Sequence, residues 1–221
     1  MDGAQSRIVV EIGESVLGRN AELAALHRKR FQESGLRVLN IVSSPGSGKT
    51  ALLERTLTEL RDRIRIGVIV GDLQTDNDAR RLQDKGAPVV QVTTGGYCHL
   101  DSNMIARAME AMDLRPLQML IIENVGNLVC PASYDLGEMA RVVLVSVTEG
   151  EDKPLKYPVI FERADVALIT KMDIAAAVGT DMEALRRNIQ QVAPRARQFE
   201  LSSRSGEGME AWYRYLEGLV A

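Results

Sequence analysis

The sequence predicts an α/β fold, a single domain built on a mostly parallel sheet flanked by helices, and three observations carry that prediction. Seven apolar runs are short and nearly unbroken, with none of the alternation of a half-exposed strand, so their strands are buried on both faces. Helical stretches fall between them, the rhythm that lays strands parallel in one sheet. The loops leaving several strands are polar and glycine-rich, and open α/β sheets bind ligands beyond the carboxyl ends of their strands.

Taken in order, residues 1–35 form an N-terminal arm and a helix packed on the core, and 36–221 form the α/β domain. The stretch "RNAELAALHRKRFQESG" (19–35) reads as an amphipathic helix. Leu23, Leu26, Arg30 and Phe31 share a face, Gly35 stops the helix, and His27 is expected in solvent. Strands follow at "LRVLNIV" (36–42), "IRIGVIVGD" (64–72), "APVVQVT", "LQMLIIEN", "RVVLVSVTE", "DVALITK" and "RQFELSS". Helices are predicted over 49–63, 78–86, 102–112, 181–193 and 208–220.

Composition narrows the function classes. The chain has 221 residues and a net charge of −3, with only 4% aromatic residues, so it offers neither a basic nucleic-acid face nor a base-stacking platform. No apolar run approaches the roughly 18 residues of a membrane-spanning helix. The first residues, "MDGAQSRIVVEIGESV", lack the pattern of an export signal, so a cytoplasmic protein is expected. A structural disulfide between Cys98 and Cys130 is then not expected.

The most informative loop is "SSPGSGKT" (43–50), lying between a strand and a helix. In that setting the first amides of the helix converge on phosphate oxygens, aided by the helix dipole. Gly46 and Gly48 let the backbone approach, with Ser47 between them. Lys49 neutralises β/γ-phosphate charge and acts as a catalytic residue, and Thr50 offers a hydroxyl to Mg²⁺. The strict pattern opens with glycine where this chain has Ser43. A second element, "TKMD" (170–173), ends a later strand. Asp173 can accept from the N1 and N2 donors of guanine, which adenine lacks, while the stem of Lys171 packs along the base. "LSSRSGEGM" (201–209) closes the next strand, bringing Ser202 and Ser203 to guanine O6. Thr170 stands where such proteins usually carry Asn. Between these motifs, "GDLQTDNDA" (71–79) supplies Asp72, Thr75, Asp76 and Asp78. "ENVG" (123–126) supplies Glu123 for Mg²⁺ and Gly126 for the γ-phosphate. No glutamine follows Gly126, so Asp72 or Asp76 is the candidate for orienting or deprotonating the attacking water, with Asp72 also a candidate Mg²⁺ contact. Capping of the next helix is the plainer role for some of these acids, Asp76 or Asp78 first.

Two cysteines and two histidines are all the chain holds, yet "GGYCHLDSN" (95–103) sets Cys98 beside His99, and "ENVGNLVCP" carries Cys130. Thiolate and imidazole suit Zn²⁺ and Ni²⁺. A small buried hydrophobe is the plainer role for Cys130, and local hydrogen bonding for His99. Adjacent Cys98 and His99 diverge unless the loop bends. Asp101 is a candidate acceptor orienting His99.

These segments, with "TEGEDKPLKYP" and "SSRSGEGM", make the chain resemble the HypB family of hydrogenase nickel-incorporation GTPases from about residue 20 onward. The pairing of GGYCHLD with ENVGNLVCP is the specific part. The resemblance implies a SIMIBI-type P-loop GTPase fold, with GTP/GDP, Mg²⁺ and Ni²⁺ or Zn²⁺ as ligands. It also implies a homodimer that delivers nickel to the hydrogenase large subunit precursor, with a HypA-type nickel metallochaperone as donor. Cys98, His99 and Cys130 are then metal ligands, gated by a γ-phosphate sensor only four residues before Cys130. The Cys- or His-rich N-terminal extension of many members has no counterpart here, so a nickel-storage site is not expected. Lys153 is placed to reach a nucleotide or a partner subunit, or simply solvent. The rivals are the urease-type nickel accessory GTPase, whose Cys-Pro-His motif is missing here, and a P-loop nucleoside kinase, which TKMD argues against. A third is a metal-binding scaffold that does not hydrolyse nucleotide.

Overall fold

A computed structural model describes residues 12–72 and 77–221. Its seven strands form one sheet in the order β3-β2-β4-β1-β5-β6-β7, and every neighbouring pair is parallel. They are β1 (Arg37–Ser43), β2 (Ile66–Asp72), β3 (Val89–Thr93), β4 (Met119–Glu123), β5 (Ala140–Ser146), β6 (Val166–Thr170) and β7 (Arg197–Glu200). The expected fold class holds. Because all strands run one way, the loops after β1, β2, β4, β6 and β7 open at one end of the sheet.

Side chains alternate across the central strand, as the two-residue period of a strand requires. Leu39 and Ile41 face α2 (Lys49–Glu59) and α9 (Met209–Val220), in a core that includes Leu52, Leu57 and Trp212. Val38 faces the other way, toward Phe31 of α1 (Ile12–Ser34) and Ile105 of α4 (Ser102–Glu110). Val42 shares that side with Phe161 of α6 (Pro158–Glu162) and Ile189 of α8 (Met182–Val192). Three short helices complete the described set: α3 (Asn77–Gln83), α5 (Lys153–Lys156) and α7 (Ala175–Val178). Helices α5, α6 and α7 were not among those predicted from the sequence. Helix α2 stops at Glu59, before the predicted 63, where Leu60 closes the last turn onto Thr56.

Helix α1 corrects the expected face. Asn20, Ala24, His27 and Phe31 are buried, whereas Leu26 is 63% exposed and Arg30 is also exposed. The reason is a close approach to Gly137, which has φ +82°. A Cβ there would lie 2.6 Å from the Ala24 carbonyl oxygen and 2.7 Å from His27 Cβ. A side chain at 137 would not fit that crossing, where Ala24 and His27 turn inward and Leu26 outward. His27 is therefore not solvated. Its Nδ1 lies 3.4 Å from the Leu136 carbonyl oxygen, and burial lowers its pKa. Asn20 fixes the same helix to two other segments, accepting from Ser102 N and donating to the Asp135 carbonyl, each at 2.8 Å. Among the described residues no helix is long and apolar enough to cross a membrane.

Candidate functional site

The phosphate loop leaves β1 at the middle of the sheet and enters α2. Gly46 and Gly48 adopt φ of +74° and +100°, a left-handed backbone that side chains disfavour. No side chain caps the N-terminus of α2, and its first turn carries no acid. Its leading amides are left for an anion. Lys49 is buried and donates to Ser43 Oγ at 3.1 Å. Burial lowers its pKa, opposed by Glu123, Asp78, Glu149 and Asp72. The serine that replaces the usual leading glycine thus holds the lysine in place.

Lys49, Thr50, Asp72, Glu123 and Gly126 line one cavity of about 420 Å³ with Gly46 and Gly48. Thr50 Oγ1 donates to Glu123 Oε1 at 2.7 Å. The other oxygen, Oε2, is buried and accepts no hydrogen bond from the described residues. Burial pushes the Glu123 pKa up to about 7, although Lys49 and Thr50 pull it down. A buried carboxylate with one oxygen on a threonine and the other orphaned fits a site for a cation. Asp78 belongs to the first turn of α3 and sits 3.7 Å from Arg81. Asp76 and Thr75 lie outside the described residues.

Beside this cavity lies a second, of about 240 Å³, lined by Ser47, Lys171, Asp173, Ser202 and Ser203 among others. Ser202 Oγ accepts from Arg204 N and Ser205 N and donates to Asp173 Oδ1 at 2.6 Å, which aims the carboxylate. Lys171 takes φ +61°, the one left-handed non-glycine among the described residues. Thr170 does more than the sequence suggested. Its Oγ1 donates to the Ser47 carbonyl at 2.7 Å, tying the base loop to the phosphate loop. Glu149, which sequence reasoning did not single out, supports the same serine. Its Oε1 accepts from Ser47 Oγ at 2.7 Å and from Ser146 N at 2.9 Å. Lys153 Nζ lies 3.3 Å from Glu149 Oε2 and 4.9 Å above the Tyr157 ring.

Cys98, His99 and Cys130 converge. One ligand atom from each lies within 4.8 Å of the others. The loop after β3 bends enough to bring Sγ of Cys98 to 3.9 Å from Nδ1 of His99, so the neighbours do not diverge. Both cysteines are free and partly exposed, which sets aside the buried-hydrophobe role for Cys130. The Cys130 thiol is pushed up by Cys98 beside it. Burial lowers the pKa of His99, favouring the neutral imidazole that binds metals. The expected role of Asp101 is not what the structure shows. Its Oδ1 accepts from Met104 N at 2.7 Å as the N-cap of α4. His99 instead stacks on Tyr134, ring centroids 3.7 Å apart. Tyr134 was missed because only the fold brings it there.

The two sites adjoin. A Cβ on Gly126 would lie 3.0 Å from Pro45 Cα, so the turn leading to Cys130 rests on the phosphate loop.

This sheet and phosphate loop define a class: the SIMIBI-type P-loop nucleotide hydrolases. Residues 37–200 match the family model for the CobW/HypB/UreG nucleotide-binding domain. The chain is 47% identical over 215 residues to the hydrogenase maturation factor HypB of Rhizobium leguminosarum bv. viciae, covering 97% of this chain and 72% of that one. It superposes on the crystal structure of HypB from Archaeoglobus fulgidus with a TM-score of 0.86 at 40% identity, covering 92% of this chain and 100% of that one. HypB from Helicobacter pylori, solved in complex with nickel, gives a TM-score of 0.85 at 42% identity over 90% of this chain and 93% of that one. The chain belongs to the HypB family of hydrogenase maturation factors.

Proposed function

We propose that this protein is a GTP-hydrolysing nickel-insertion accessory factor for [NiFe] hydrogenase, in which the bound nucleotide gates the Cys98–His99–Cys130 site at a dimer interface. The observation that carries this reading is the cluster's position. Its three ligand atoms lie within 4.8 Å of one another, and Cys130 follows the Gly126 turn that packs on the phosphate loop.

Asp173 and Lys171 select guanine, with Ser202 orienting the carboxylate and Ser203 beside O6. Gly46, Ser47, Gly48 and Lys49 hold the phosphates, and Gly126 meets the γ-phosphate. The Thr50 hydroxyl, Glu123 and Asp72 hold Mg²⁺, which when bound offsets charge on the phosphates. Asp72 or Asp76 orients the attacking water. Nickel is cargo: two thiolates and one imidazole leave a position for water or for a ligand from a second copy across a two-fold axis. Zn²⁺ suits the same atoms. In this reading a HypA-type metallochaperone supplies nickel and the hydrogenase large subunit precursor receives it, in the cytoplasm, where thiols stay reduced.

The test is a Ni²⁺ titration of the purified protein with GDP and with a non-hydrolysable GTP analogue, the mass of the complex recorded alongside. Affinity and dimer fraction are expected to change together with the nucleotide. Equal nickel affinity in both states overturns the gating, and absence of GTP turnover overturns the enzyme.

A further inference from the structure

A polar chain buried in the sheet joins the phosphate cavity to the metal loop. Asn124, next to Glu123 at the exit of β4, is 1% exposed. Its Oδ1 accepts from Leu100 N at 3.1 Å, the residue directly after His99. Its Nδ2 donates to Asn40 Oδ1 at 3.2 Å. Asn40 sits fully buried in the middle of β1 and donates to Glu138 Oε1 at 3.1 Å. Glu138 Oε1 also accepts from Arg141 Nη2 at 2.6 Å, and that nitrogen reaches the Tyr134 carbonyl at 3.0 Å. The Tyr134 ring is the one stacked on His99. The chain therefore touches the histidine's surroundings twice, through the backbone of Leu100 and through Tyr134.

Two asparagines and an ion pair inside an apolar sheet are costly to bury without partners; of their side-chain polar atoms only Arg141 Nη1 lacks one among the described residues, and breaking one link strands the rest. Such a chain responds as a unit. Its near end is covalently next to Glu123, whose Oε1 is held by Thr50 of the phosphate loop. A shift of β4's exit when the phosphate cavity fills is thus felt at both supports of His99.

We infer that Asn124 and Asn40 are positioning residues that carry the nucleotide state to the metal cluster by setting the placement of His99. This rests on the gated-nickel reading above and adds the route. Asn124 lines the phosphate cavity, whereas Asn40 lines neither cavity and offers no metal ligand.

The experiment measures Ni²⁺ affinity with saturating GDP and with a saturating GTP analogue, in the wild type, Asn40→Leu and Asn124→Asp. Leucine fills a similar volume in an apolar strand and removes both links of Asn40. The Asn124→Asp change keeps the acceptor for Leu100 and loses the donor to Asn40, so it tests the same link if Asn40→Leu folds poorly. A wild-type ratio of at least about fivefold between the two states is expected, within the usual range of coupling between sites. In both variants it should fall below about twofold, against that same scale, with metal-free GTP turnover of Asn40→Leu unchanged. A merely structural role lowers thermal stability and both affinities together and leaves the ratio intact, and that result overturns the inference while sparing the gating. A wild type with no ratio overturns both.

Discussion

At the base end of the cleft, Asp173 is already aimed by Ser202, which is itself held by two backbone amides, and Thr170 locks the adjoining loops together. At the phosphate end, Glu123 keeps one buried oxygen without a partner among the described residues and a pKa of about 7, beside a lysine whose charge burial opposes. The base socket is set before ligand arrives, so it selects at little reorganisation cost. The phosphate end is electrostatically incomplete, and in the proposed reading Mg²⁺ with the nucleotide would supply what is missing. Selection and response are thus divided between two halves of one cleft. The metal cluster adjoins the responsive half.

The largest effect that breaks this comparison is expected at Lys49. Lys49→Ala should lower GTP turnover by on the order of a hundred- to a thousandfold, as for loss of a charge-stabilising donor elsewhere, measured by phosphate release. Glu123 comes next and sharpens the contrast. Its folded pKa, about 7, lies above the unfolded carboxylate value of 4.5, so the folded chain binds more protons between those pH values. Without Mg²⁺ or nucleotide, stability should therefore fall as pH rises from about 4.5 to about 7, by on the order of 3 kcal/mol. Glu123→Gln, which keeps the acceptor for Thr50, should flatten that slope in thermal melts taken across this window. Mg²⁺–nucleotide binding by the wild type should strengthen over the same rise in pH, as the carboxylate ionises. At the base end, Asp173→Asn should weaken GTP binding by about ten- to a hundredfold, the size expected for a lost charge-assisted bond, and shift preference toward xanthine. Unchanged selectivity in a competition assay removes the guanine assignment. Smallest is Thr170→Val. Losing one buried hydrogen bond costs about 1 kcal/mol, so GTP affinity should drop about fivefold with no change in base preference.

What the sequence made legible follows from locality. SSPGSGKT, TKMD and the Cys98–His99 pair are contiguous, and their chemistry follows from residue type and from the strand each one leaves. The mostly parallel sheet expected from the sequence was legible because its strands are apolar on both faces. Contacts between distant residues were not. Asn40, Asn124 and Glu138 lie 84 and 98 positions apart along the two links of their chain, and only the pairing of β1 with β4 brings the two asparagines together. One trace was visible: an asparagine interrupts the apolar run LRVLNIV. The inward face of α1 was misread because the Gly137 turn it packs against lies more than a hundred residues away in the sequence.

Helix α1 carries a further consequence. Asn20 holds the segment that follows Cys98 and His99, through Ser102, and the segment that follows Cys130, through Asp135. Arg28 grips Asp135 again at 2.7 Å. The helix is a splint across two loops that share no backbone. Trimming the chain to begin at Leu36 would spare every residue proposed to meet nucleotide, yet it would remove the common anchor of the two loops that carry Cys98, His99 and Cys130. Under the proposed function, a minimal version designed around the nucleotide motifs alone is expected to turn over nucleotide and to lose its grip on the metal.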